Sequence, residues 1–111
     1  MSSSNPKFFK TGTVVGTGSA INVSVPEFTP RKVVLRNADS GDEMVWLDTM
    51  PQGYGWKRIA AGSGSLVTSG GVSVTYQDSL GDGQDPGRGF TIGTDTDLNV
   101  DTQVIHWEAH E

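Results

Sequence analysis

The residues most able to do chemistry in this chain are Asp95, Asp97 and Asn99, spaced every second position. Asp-x-Asp-x-Asn opens a calcium loop, where oxygens two residues apart converge on one cation. The rest of that loop is missing. Val100 stands where the sharp turn needs glycine, and His106 stands where the bidentate glutamate belongs. The same residues have a local use, because Asp and Asn oxygens accept from nearby backbone N–H groups and order a turn. The local use is preferred. Gly89, Gly93, Asp95, Asp97 and Asn99 then form a structural corner that orders a loop at a protein–protein contact.

Other candidate ligands are weaker. Asp78, Asp82 and Asp85 have no recognised metal spacing and lie in a Gly/Pro-rich surface loop, Asp78 to Gly87. His106, Glu108 and His110 share one face of a strand but lack a third certain ligand, so they read as an exposed polar face. The chain has no cysteine, hence no disulfide and no thiolate site, and suits a reducing cytoplasm. No serine sits in a nucleophile elbow, and both histidines fall in the last six residues. The Gly12–Gly18 run lacks the Gly-Lys-Ser/Thr of a phosphate loop. No catalytic residue, cofactor or metal is therefore assigned, and an enzyme is not expected.

What must position these residues follows from the composition. A chain of 111 residues makes one domain. With 34% hydrophobic and 19% charged residues it is neither a membrane protein nor a charge-rich disordered one. No apolar run is long enough to cross a bilayer, and Met1–Pro6 has no apolar core of a signal peptide. A net charge of −5 argues against nucleic acid, whose affinity comes from Lys and Arg on phosphates. Lys7, Lys10, Arg31 and Lys32 give the first third a mild basic bias that could complement an acidic protein surface.

Fifteen glycines, five prolines and many Thr, Ser and Val residues predict an all-β fold: a compact antiparallel β-sandwich or barrel with tight Gly-rich turns. Residues 1–10 read as an extended N-terminal arm, anchored by Phe8 and Phe9, and residues 11–111 as a single β domain. Phe8–Val15 and Ala20–Val25 read as a hairpin. Lys32–Asn37 and Met44–Leu47 follow, with Val33, Val34, Leu35 and Trp46 in the core. Thr49–Trp56 reads as a loop, and Trp56–Ala60 as a short strand. Tyr54 and Trp56 either form an exposed contact patch or are buried to pin that loop. Gly70-Gly71 signals a turn before a half-buried strand of Val72, Val74 and Tyr76. Phe90 and Ile92 face one side of a very short strand. Gln103–Ala109 closes the chain with Trp107 inward.

Thr29-Pro30-Arg31-Lys32-Val33, Trp46-Leu47-Asp48-Thr49-Met50, Thr68-Ser69-Gly70-Gly71-Val72, Gly89 to Asn99 and Val104-Ile105-His106-Trp107 together resemble a family of small tailed-bacteriophage and prophage virion proteins. The resemblance runs from about Thr29 to the C-terminus. It implies an accessory head protein that decorates and cements a capsid. It would be made in the bacterial host cytoplasm and would sit on the outer surface of the virion. The implied partners are the major capsid protein and further copies of the chain, a homotrimer being natural on an icosahedral shell, with no nucleic acid and no membrane. Such a protein stabilises the capsid by bridging neighbouring subunits. Phe8, Phe9, Tyr54 and Trp56 are the candidate contacts. The alternative is a tail-associated β-sandwich that binds a carbohydrate or receptor, with Tyr54 and Trp56 as stacking platforms and Asp82 and Asp85 as polar partners.

Overall fold

Alternating apolar and polar residues build eight strands in the computed structural model, which describes residues 9–25, 29–60, 62–74 and 89–111. They are β1 (Phe9–Val15), β2 (Ile21–Ser24), β3 (Lys32–Asn37), β4 (Glu43–Leu47), β5 (Tyr54–Arg58), β6 (Gly64–Ser73), β7 (Gly89–Ile92) and β8 (Val104–His110). The described residues contain no helix. All pairings are antiparallel, in the order β1-β8-β3-β4-β5-β6-β7-β2. The single sheet curls strongly into a half-barrel. Its inner face carries Val33, Leu35, Met44, Trp46, Phe90, Ile92, Ile105 and Ala109, all buried. Leu98, from the segment between β7 and β8, is fully buried among them.

The expected hairpin of the first two strands does not form. β1 pairs with β8, Gly12 opposite Trp107, and β2 pairs with β7, Val23 opposite Phe90. The chain leaving β1 is held elsewhere. Gly16 N–H donates to the Gln103 carbonyl at 2.7 Å, and Thr102 N–H donates to the Gly16 carbonyl. The connection therefore joins the two ends of the sheet instead of folding β2 back onto β1.

Gly70-Gly71 is likewise not a turn between strands. β6 runs through it, and the register against β5 jumps from Gly55–Val67 to Tyr54–Val72. The extra residues form a corner where three backbones meet. Gly71 N–H donates to Gly53, Gly93 N–H to Gly71, and Asp95 N–H to Gly70. Gly70 has φ +77°, a region that favours glycine. Tyr54 and Trp56, expected in or at the end of a loop, are both in β5. Trp46 is buried, and its indole N–H donates to the Pro51 carbonyl at 3.2 Å. Trp107 is half-buried. Its ring meets Phe90 edge-to-face at 5.5 Å and lies over Gly12, where a Cβ would come within 2.7 Å of it.

The corner generates a stability prediction. A Cβ on Gly93 would stand 2.5 Å from the Gly70 carbonyl, whereas one on Gly64 would meet only the Lys57 oxygen at 3.7 Å. Gly93→Ala is expected to cost about 2–3 kcal/mol by overpacking, and Gly64→Ala less than about 0.5 kcal/mol. Urea unfolding of the two variants beside the parent checks this.

Candidate interaction site

The segment after β7 folds back into the concave side of the sheet, and its polar residues act on the chain itself. Asp95 Oδ1 accepts from Asp97 N–H at 2.9 Å and Leu98 N–H at 3.2 Å, closing a tight turn. Asn99 is buried and its amide is fully used. Its Oδ1 accepts from Thr17 N–H and Gly18 N–H, and its Nδ2 donates to the Ser19 and Gly93 carbonyls. Of the glycines predicted at the corner, Gly93 is in it, and Gly89 opens β7 against Val23 of β2 with φ +147°.

Two further residues complete the corner, and sequence reasoning did not single them out. Asn37, fully buried at the end of β3, donates Nδ2 to the Asp97 and Leu98 carbonyls and to Gln103 Oε1. Its Oδ1 accepts from Asp39 N–H and Ser40 N–H. Lys57 of β5 points to the inner face, and its Nζ lies 2.7 Å from Asp97 Oδ2 and 3.1 Å from Asp95 Oδ2. The two carboxylates that could have begun a calcium loop hold an ammonium group of the same chain. Strand parity turns Lys57 inward if Trp56 is read as outward, but the sequence leaves Trp56 open between exposed and buried.

Burial alone would lower the Lys57 pKa. The hydrogen bonds and charges of Asp97 and Asp95 outweigh it, and the pKa stands above the ordinary 10.5. Elsewhere His110 Nε2 lies 3.2 Å from Glu108 Oε1, and its ring stacks on Phe9 at 5.5 Å. Among the described residues, no group of three His, Cys, Asp or Glu side chains could hold a metal ion. Phe8, Tyr76, Asp78, Asp82, Asp85 and Gly87 lie outside the described residues.

The outer face of the sheet is organised differently. Register places Val34, Val45, Trp56 and Leu66 directly opposite one another across β3, β4, β5 and β6. Trp56 is 55% exposed and Leu66 46%. Val34 and Val45 are half-buried beside them, and Leu47 adds a further exposed apolar side chain. One row along, Arg36, Glu43 and Arg58 form a continuous ion-paired strip, with Glu43 3.2 Å from Arg36 and 3.1 Å from Arg58. The Arg58 hydrogen bond, helped by Arg36 and opposed by partial burial, holds the Glu43 carboxyl below its usual range.

Phe9 reaches the same outer face at its far side, through the register Phe9–His110–Lys32–Leu47. Tyr54 does not join Trp56 on this surface as an equal. It is half-buried at the register jump. The alternatives for the aromatic pair are thus divided between them: Trp56 is displayed, and Tyr54 is packed at the corner. An open, mostly apolar recess of about 600 Å³ lies nearer β1, lined by Thr11, Gly12, Arg36, Ala38, His106 and Trp107 among others.

No protein-family model matches the chain, and comparison with curated proteins and with solved structures finds no match.

The Lys57 contacts predict a pH-dependent stability. A raised folded-state pKa means the ammonium contribution is complete below pH 10.5 and is lost as pH rises through the folded value. Lys57→Met leaves Asp95, whose side chain is 8% exposed, without its cation. The expected loss at neutral pH is about 1–3 kcal/mol, below that of a fully buried pair because Asp97 stays 43% exposed. The parent-minus-variant difference should shrink above pH 10.5, read by urea unfolding at stepped pH.

Proposed function

We propose that this chain is a non-enzymatic structural protein of a bacteriophage virion, a decoration protein that docks on the major capsid protein through the outer face of its sheet. The observation that carries this reading is the apolar row Val34–Val45–Trp56–Leu66, displayed on one folded chain and flanked by the Arg36–Glu43–Arg58 strip. Contiguous apolar surface rimmed by charge is characteristic of a protein contact. Trp and Arg are the side chains that most often dominate such contacts. The chain's conspicuous polar residues, Asp95, Asp97, Asn99, Asn37 and Lys57, are occupied with one another and with backbone, which supports a binding role over a catalytic one. The capsid as partner rests on the resemblance described above.

The same tryptophan is the platform that a glycan-binding module would use. Its register neighbours are Val45 and Leu66, which offer no hydrogen bonds to a sugar. That favours a protein partner.

Purified protein is expected to bind saturably to mature heads that lack it, measured by co-sedimentation. Trp56→Ala should weaken that binding by about 10–30-fold, the scale of an interface hot spot, while leaving the unfolding midpoint unchanged. Absence of binding to heads, or equal binding by the variant, contradicts the proposal, and a positive glycan screen would favour the sugar-binding alternative.

A further inference from the structure

Among the described residues the sheet is not closed: β1 and β2 are its two edges, and nothing pairs with the outer edge of β1. The Gly16 contacts to Thr102 and Gln103 fix which way each backbone group of this strand points. N–H and C=O directions alternate along a strand. Gly16, Val14, Gly12 and Lys10 therefore turn their backbone groups toward β8. Phe9, Thr11, Thr13 and Val15 turn theirs to the open edge, and all four are exposed.

Natural proteins commonly guard such an edge with charge, proline or a bulge. This one has none of these at its edge-facing positions. Those positions read Phe-Thr-Thr-Val, and that order is self-complementary. Set antiparallel to a second copy about a two-fold axis at Gly12, Phe9 falls opposite Val15 of the other copy and Thr11 opposite Thr13. Aromatic against β-branched and Thr against Thr are both favourable cross-strand pairs. Every edge-facing N–H and C=O in the strand finds a partner in this register. At the axis Gly12 meets Gly12, so no side chains collide there. Phe9 and Val15 are 59% and 56% exposed in the single chain, and each would be covered by the other.

We propose that β1 is a homodimer edge: two copies join β1 to β1 in this register, doubling the eight-stranded sheet into one continuous sheet. The pairing is isologous, as a two-fold interface must be. It differs from the threefold cluster that the family resemblance implies. It leaves the Trp56 row free, because that row lies on strands distant from the axis.

The test is sedimentation equilibrium of the full chain, with two double variants at exposed positions that share the same fold demands. Thr11→Lys with Thr13→Lys sets like charges opposite each other twice across the axis. Thr11→Lys with Thr13→Glu sets opposite charges there. The expected result is a dimeric parent, a dimeric Lys/Glu variant and a Lys/Lys variant whose dimer is weaker by about tenfold or more. Thr13→Pro, which removes one edge-facing donor and no bond to β8, should also weaken the dimer. A parent that stays monomeric at about millimolar concentration overturns the proposal, as does a trimer. Equal association of the Lys/Lys and Lys/Glu variants overturns it too, since the register then has no bearing on assembly.

Discussion

A sheet that curls without closing leaves its concave face open to water unless some other part of the chain fills it. Here the segment between β7 and β8 does so, and the remaining structure depends on that segment staying in place. Leu98 is its apolar plug, fully buried. Two buried amides hold it. Asn37 grips the Asp97 and Leu98 carbonyls from the end of β3, and Asn99 grips Thr17, Gly18, Ser19 and Gly93. Buried amides are costly when any group is unpaired and specific when all are paired. Lys57 adds a tether from β5 to Asp95 and Asp97. Strands from both halves of the sheet thereby converge on one short loop.

This arrangement separates the two faces of the sheet by role. Inside, polar side chains are spent on the chain's own backbone and on one another. Outside, the register lines up apolar side chains where water would normally meet polar ones, with Trp56 at the centre. An antiparallel sheet packed on one side usually alternates apolar-in with polar-out. In the row Val34, Val45, Trp56 and Leu66, nothing among the described residues covers the exposed halves of Trp56 and Leu66. The proposed partner surface would cover them.

Local pattern made much of this legible. Lys32–Asn37 is a strand with the bounds its alternation predicts, and Val33 and Leu35 are buried as expected, whereas Val34, expected in the core with them, alternates to the outer face and is only half-buried. Trp46 is in the core, and Phe90 and Ile92 are buried on their short strand. Asp and Asn spaced by two gave the corner its turn-forming character. The pairing of β1 with β8 and β2 with β7 was not legible, because partners far apart in sequence leave no mark on local alternation. Gly70-Gly71 misled for a related reason: glycine marks unusual backbone, and a corner within a strand needs it as much as a turn does. Lys57 escaped notice because a lysine normally reads as solvent-facing, and only the assembled fold brings Asp95 and Asp97 to it.

We propose that the outer face around Trp56 docks on a phage capsid. Electron cryomicroscopy of heads saturated with the purified protein tests it most directly. The account predicts density for the chain at symmetric positions on the shell, with Trp56 and Leu66 against the capsid. Ordered density with that face turned to solvent, or heads that stay bare, would contradict it.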